Sequence, residues 1–218
     1  MNRSWLLLSV LIVGTSQAQG WIEYVDVSDR FLVHLPGEPV IEETTYLTDL
    51  GVDLPARIYS VSGPSGDYSL TVVRYTEANR VHQDRCDRSP NLQCDGLEAG
   101  IEVRGSIAFA AWNIRQRTEG DITYDGYAQV DGIPGHQLQI VNPDGSQSFV
   151  AIHLEARRLY LLEATVPQSS APPIQFQQSL GIMDADRRRI RYVYDENDNK
   201  VRVETSVEWI QTGENSRD

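Results

Sequence analysis

Two histidines and a glutamate in the second half of the chain, His136, His153 and Glu155, have the side chains best suited to chemistry. Asp144 and Gly145 separate alternating apolar runs, and such a pair predicts the centre of a tight β-hairpin turn. In that register His136 lies directly opposite His153 on one face of the sheet. With Glu155 two residues further along the same strand, the imidazoles could hold a metal ion. Apolar neighbours on that face favour the alternative, ordinary half-buried histidines.

Motifs of the common enzyme classes are absent from the sequence. It contains no G-x-S-x-G, H-E-x-x-H, G-x-x-x-x-G-K-[ST] or G-x-G-x-x-G pattern. A catalytic site assembled from distant residues stays open, because such sites are recognised by geometry. We therefore predict a non-catalytic protein without a cofactor, with a metal-dependent hydrolase or metal-binding protein around His136 and His153 as the alternative.

The only basic cluster in this acidic chain comprises Arg187, Arg188, Arg189 and Arg191. Such a cluster could dock an acidic partner or a phosphate group. Because aspartates precede it directly, the alternative is a solvated strand entrance whose charge they neutralise.

The segment 195–199, Asp-Glu-Asn-Asp-Asn, places oxygen ligands at alternate positions like the beginning of a calcium loop. The pattern then fails, because Lys200 stands where the loop needs glycine and Ser206 where it needs a bidentate glutamate. A polar hairpin turn is the better interpretation.

Two cysteines, Cys86 and Cys94, lie close together in a polar segment. An even number of neighbouring cysteines in an exported protein predicts a disulfide, whose short loop would stabilise the fold by roughly 2.5 kcal/mol. A metal pair or redox dithiol is the alternative, although the spacing is not that of a C-x-x-C motif.

Residues 1–18 have the layout of a secretory signal peptide: Arg3, a short apolar run, and small residues at Ser16 and Ala18. The run is too short for a membrane span, which needs about 20 residues. No lipid-attachment cysteine follows it. We expect cleavage after Ala18, a periplasmic or secreted location, a single domain over 19–211 and a flexible tail over 212–218.

The charge of the chain excludes several partners. Its formal net charge is −12, and removal of residues 1–18 takes away a positive charge only. Nucleic acids and anionic lipid surfaces attract clustered lysine and arginine, so neither is expected as a partner. The partner we expect is another envelope protein, without direct membrane insertion.

Strand patterns dominate the order of predicted elements. Strands are expected over 22–27, 31–35, 40–46, 56–62, 68–75, 122–130, 136–141 and, as one long strand, 149–166, with a last hairpin of 189–194 and 200–210. Helical spacing of apolar residues predicts a helix from Leu97 to Arg115, and a second helix begins near Ile174. This is an α+β pattern.

Several short runs resemble a known group of proteins. These runs are Trp21-Ile22-Glu23-Tyr24, Phe31 to Pro39 with its Pro-Gly-Glu-Pro turn, Arg57-Ile58-Tyr59, Arg158-Leu159-Tyr160 and the segment from Phe176 to Leu180. They are similar to small exported bacterial proteins of unknown function with the PsbP-like fold, which a eukaryotic Ran-binding factor shares. The resemblance implies a central antiparallel sheet flanked by helices, an α/β/α sandwich, over about residues 21–182.

What the resemblance implies about function is coarse, because the matching residues are turn and core positions. Proteins of this fold group mostly bind other proteins or are uncharacterised, so the resemblance implies no catalytic residue. The first hypothesis is therefore a soluble binding or accessory protein of the cell envelope. A structural envelope protein without a small ligand is a further possibility.

Overall fold

The computed structural model describes residues 20–49, 51–88 and 103–203. Most of this part of the chain is β-strand. The strands are β1 (Ile22–Asp26), β2 (Phe31–Leu35), β3 (Val40–Leu47), β4 (Asp53–Gly63), β5 (Gly66–Arg74), β6 (Asp121–Val130), β7 (Ile133–Val141), β8 (Gln147–Glu155), β9 (Arg158–Val166), β10 (Gly181–Ile182), β11 (Tyr192–Tyr194) and β12 (Lys200–Arg202). The helices are α1 (Ala78–Arg88), α2 (Val103–Arg117) and α3 (Ile174–Ser179).

Seven strands form one antiparallel sheet in the order β3-β4-β5-β9-β8-β7-β6. Two meanders build it: β3 to β5 follow one another along the chain, and so do β6 to β9. They meet along a single seam, where β5 pairs with β9 from Asp67 opposite Thr165 to Arg74 opposite Arg158. Helices α1 and α2 are the connection between the two meanders.

Helix α2 covers one face of this sheet. Its buried residues are Ile107, Ala110, Ala111 and Ile114, which belong to the same apolar cluster as Leu138, Val150, Ile152 and Leu161 of the strands. The spacing of three and four residues puts all four helix side chains on one stripe. This stripe fixes where the rest of α2 lies relative to β6 and β7.

The opposite face is covered by a small sheet of order β1-β2-β10 and by the short α3. Phe31, Val33 and Leu35 of β2 are fully buried against the large sheet. The Phe31 ring meets the Tyr59 ring edge-on at a centroid distance of 4.9 Å, and Phe176 of α3 meets Tyr68 in the same way at 5.5 Å.

The predicted α/β/α sandwich is wrong, because the described part of the chain is mostly β-strand and one face of the large sheet lacks a helical layer. On that face the layer is the small three-stranded sheet, to which the six-residue α3 is added. Four of the five residues of β2 are buried, so this strand needs apolar neighbours on both sides. A hairpin lying across the sheet supplies that environment where a helix was expected.

The long strand predicted over 149–166 is also wrong, because it is a hairpin of β8 and β9. The turn residues Ala156 and Arg157 both have positive φ, 50° and 59°. This is the conformation of a tight hairpin turn that normally takes asparagine and glycine, so no turn signal is visible at Ala156 and Arg157. Two hydrogen bonds hold the turn instead: the Arg158 side chain donates to the Ala156 carbonyl, and the Tyr75 N–H donates to the Arg157 carbonyl.

Several other predicted elements match the structure. The hairpin around Pro64 and Ser65 is present, and the helix predicted up to Arg115 is confirmed as α2 from Val103. Helix α1 was not predicted, since its polar sequence lacks an apolar stripe. Among the described residues, the last hairpin pairs Tyr192–Tyr194 with Lys200–Arg202.

Some predictions fall outside the described residues: the signal peptide over 1–18, the first part of the predicted helix, Cys94, the strand residues after 203 and the tail over 212–218. Within the described ranges, no helix combines the length and the apolar character needed to cross a membrane.

Candidate functional site

The β7–β8 turn decides how His136 and His153 are arranged. The Gly145 N–H donates to the Asn142 carbonyl at 2.9 Å, so Pro143 and Asp144 form the centre of the turn and Gly145 follows with a φ of 84°. Proline is preferred at this first central position because its φ is already fixed near the required value. The loop between the paired Asn142 and Ser146 therefore has three residues, Pro143 to Gly145, instead of the predicted two, which shifts the strand pairing by one residue.

This shift of one residue separates the two histidines. His136 pairs with Ile152, and His153 pairs with Gly135. Because successive side chains of a strand point to opposite faces, the histidines lie on opposite sides of the sheet. The predicted pairing of His136 with His153 is wrong. Among the described residues, no group of three histidine, cysteine, aspartate or glutamate side chains is placed to bind a metal.

His153 is a core residue beneath the small sheet. It is 1% exposed, and its Nδ1 has no hydrogen-bond partner in the described part of the chain. Gly135 leaves the space for the ring, since a Cβ at that position would lie 2.3 Å from Nδ1. Burial lowers the pKa of His153 to about 4, because the charged imidazolium would lose its hydration.

The other two predicted metal ligands line one open groove of about 940 Å³. The groove lies between α2, β6, β7, the end of β8 and the β11–β12 hairpin. Its polar and aromatic lining residues are Arg104, Arg115, Tyr127, His136, Glu155, Tyr194 and Lys200. This groove is the candidate functional site.

A three-residue network forms one wall of the groove. Arg115 of α2 makes a bidentate ion pair with Asp125 of β6, with both N–O distances 2.6 Å. The Nε2 of His136 lies 2.5 Å from the same carboxylate. A carboxylate only accepts hydrogen bonds, so Nε2 carries the hydrogen. Hydrogen bonding to Arg115 lowers the pKa of Asp125 to about 2, with His136 adding to the effect.

The centre of the wall is therefore close to neutral, while the rim carries positive charge. Arg104 and Lys200 are exposed, and neither makes an ion pair with the residues that the structure describes. The Lys200 ammonium lies over the Tyr192 ring at 4.1 Å, and the Tyr192 hydroxyl donates to Glu155 at 3.4 Å.

Two tyrosines complete the rim. Tyr127 is 68% exposed and Tyr194 is 64% exposed. Exposed tyrosine and arginine side chains are typical of protein interfaces, because they bury a large contact area and still offer a hydrogen bond. The arrangement can bind an extended ligand that carries negative charge.

The predicted arginine cluster is divided in the structure. Arg189 and Arg191 face Asp131, at N–O distances of 2.5 and 3.7 Å, which neutralises their half of the cluster. Arg187 and Arg188 are exposed, and their backbone N–H groups bond to Asp184. The cluster is thus closer to the predicted alternative, a strand entrance with neighbouring aspartates.

The polar turn interpretation of residues 195–199 is confirmed. One carboxylate oxygen of Asp195 accepts the backbone N–H groups of Asn197 and Asn199 at 2.8 and 2.9 Å. These bonds lower the pKa of Asp195 and fix the turn between β11 and β12. Lys200 and Tyr194, which this turn connects, are thereby placed beside the groove.

Cys86 is part of α1, and Cys94 lies outside the described residues. The disulfide between them stays a prediction.

Sequence reasoning missed Arg115 and Asp125 as a functional pair. Arg115 was predicted on a helix and Asp125 in a strand, but no local pattern indicates that α2 packs beside β6. A weak signal was present at Asp125. It lies two residues before Tyr127 in β6, so the two side chains point to the same face of the strand.

No protein-family model matches the chain, and no curated protein matches it. Among solved structures, the chain is similar to the solution structure of PsbP from the cyanobacterium Synechocystis sp. PCC 6803. The similarity covers 81% of this chain and 98% of that protein, with 11% sequence identity and a TM-score of 0.42.

Proposed function

We propose that this chain is an exported binding protein of the cell envelope and that its groove receives an acidic segment of a partner protein. The export part of the proposal rests on residues 1–18, whose layout is that of a cleaved signal peptide. A disulfide between Cys86 and Cys94 suits the same compartment. Comparing the intact mass before and after reduction and alkylation tests the disulfide directly.

The observation that carries the binding role is the composition of the groove. In a chain with a net charge of −12, its rim combines the exposed cations Arg104 and Lys200 with the exposed rings of Tyr127 and Tyr194. Cations placed this way raise the local concentration of an acidic partner and steer its approach. The wall formed by Arg115, Asp125 and His136 is fixed before the partner arrives.

The site can be tested by photo-crosslinking in living cells, with a photoreactive amino acid in place of Tyr194. Val40 is the matched control, because it is 72% exposed and lies in β3 at the opposite edge of the seven-stranded sheet. We expect a discrete adduct from position 194 and none from position 40. Mass spectrometry then identifies the partner, which is purified for binding measurements.

Two charge-reversal pairs separate the groove from the arginine cluster. The first variant is Arg104→Glu with Lys200→Glu, and the second is Arg187→Glu with Arg188→Glu. Both change the net charge equally, and all four residues are exposed. We expect at least tenfold weaker binding of the purified partner for the first variant and little change for the second. Equal weakening, or weakening by the second variant only, overturns the proposal.

A further inference from the structure

A second group of charged side chains lies at the end of the β5–β9 seam where Arg74 pairs with Arg158, on the face of the large sheet that the small sheet covers. Its centre is Asp29, in the turn between β1 and β2, whose side chain is fully buried. Asp29 accepts hydrogen bonds from the Tyr59 hydroxyl and from Arg74 Nε, both at 2.7 Å. Arg57 approaches the same carboxylate at 3.4 Å. These contacts attach the turn to the large sheet.

The arginines of this group outnumber its carboxylates. Arg57 and Arg74 contact Asp29, Arg158 bonds to the same turn, and the charge of Arg30 acts on Arg158, while Asp29 and Asp26 already accept several hydrogen bonds. Arg57 has a further, exposed partner in Glu43. The excess of positive charge therefore falls on the side of Arg30, Arg74 and Arg158.

Arg158 is a buried member of the group that lacks one of its hydrogen bonds among the described residues. The residue is 7% exposed, and its Nε has no hydrogen-bond partner among the residues that the structure describes. Its Nη groups donate only to the neutral carbonyls of Ser28 and Ala156, at 3.0 and 3.3 Å. A buried guanidinium without a direct anionic partner is costly. Burial, together with the nearby charges of Arg30 and Arg74, lowers the pKa of Arg158.

The neighbours of Arg158 are Arg74 and Arg30, whose guanidinium N–H groups can donate to a ligand. Arg74 stands opposite it in the strand register and uses Nε for Asp29, while the side chain is 31% exposed. Arg30 occupies the turn with a φ of 58°, and its carbonyl accepts from the Tyr160 hydroxyl and from the Met183 N–H. Its backbone is thus held in place beside Arg158.

We propose that Arg30, Arg74 and Arg158 form a binding site for a phosphate group. A tetrahedral dianion on the exposed side of this group would supply the anionic partner that the Arg158 guanidinium lacks and would share the charge of two further guanidinium groups, which match phosphate oxygens well. The site shares no residue with the groove. Its occupancy does not depend on the proposed partner protein.

The test uses the mature chain and two probes, inorganic phosphate and glycerol 3-phosphate, titrated against chloride at constant pH and ionic strength. Calorimetry gives the affinity, and the Arg158 Nε–H resonance reports occupancy at the site. A shift with inorganic phosphate alone assigns the site to the free ion. A shift with both probes assigns it to phosphoryl groups in general, and either result supports the proposal.

The variant Arg30→Asn removes one guanidinium without disturbing the turn, because asparagine accepts the left-handed conformation. Arg187→Asn is the matched control: Arg187 is an exposed arginine with a φ of 64° in another turn. We expect binding to weaken about tenfold or more in the first variant and to stay unchanged in the second. No shift with either probe, or equal weakening in both variants, overturns the proposal.

Discussion

The buried His153 predicts a specific loss of stability in mild acid. Burial lowers the pKa of its imidazole to about 4, whereas the unfolded chain keeps a value of about 6.5. Between these two pH values the unfolded chain binds a proton that the folded protein excludes. The contribution of His153 is therefore complete above about pH 6.5 and decreases as the pH falls towards 4.

The size of this effect follows from the two pKa values. Between pH 7 and pH 5, the linkage relation gives a loss of about 2 kcal/mol in the free energy of unfolding. This window lies above the usual pKa of aspartate and glutamate, so carboxylates contribute little to it. His153→Gln keeps a polar side chain at the position and removes the titrating group.

The assay is urea denaturation of both proteins at intervals from pH 7 to pH 5. We expect the wild-type protein to lose about 2 kcal/mol more than His153→Gln over this range. An equal loss in the two proteins would refute the reasoning, because it would mean that the folded protein accepts a proton on His153 as readily as the unfolded chain.

Three further changes test the packing, the turn and the groove wall. Gly135→Ala places a Cβ 2.4 Å from the Ile152 carbonyl oxygen, so we expect a loss of about 1–3 kcal/mol in denaturation, against little change for Gly63→Ala, which meets nothing within 4 Å. Replacing Ala156 and Arg157 by Asn and Gly suits their positive φ angles and should raise stability by about 1 kcal/mol; a lower melting temperature would contradict this. Asp125→Asn should cost about 1 kcal/mol at pH 7, since the ion pair is about one third exposed, and the difference from wild type should disappear as the pH falls from about 4 through 2.

The sequence predicted individual strands well because their signals are local. The alternation in β4 and β5 and the Pro64-Ser65 turn between them are contained within about 20 residues. The order of the strands in the sheet could not be predicted in this way, because both helices, α1 and α2, lie between β5 and its partner β9 in the sequence. Nothing near either strand indicates that partner.

The candidate site shows the same limit at the scale of one residue. Asp144 and Gly145 were correctly placed in the hairpin loop, but the loop also includes Pro143, and three loop residues instead of two shift the register by one. That single step puts His136 and His153 on opposite faces of the sheet instead of on the same face. The Arg115–Asp125 pair depends on how α2 docks, which is set by the apolar stripe on its other side.

The seam between β5 and β9 has a consequence for how the chain assembles. Every other neighbouring pair in the large sheet is joined by a short hairpin, so each meander closes its own contacts at a small entropic cost. Within the large sheet, only the seam requires two distant parts of the chain to meet, which makes it the slow step in forming that sheet. The large sheet thus consists of two meanders joined edge to edge. If the chain is cut between α1 and α2, each fragment contains one complete meander, including the strand that forms the seam.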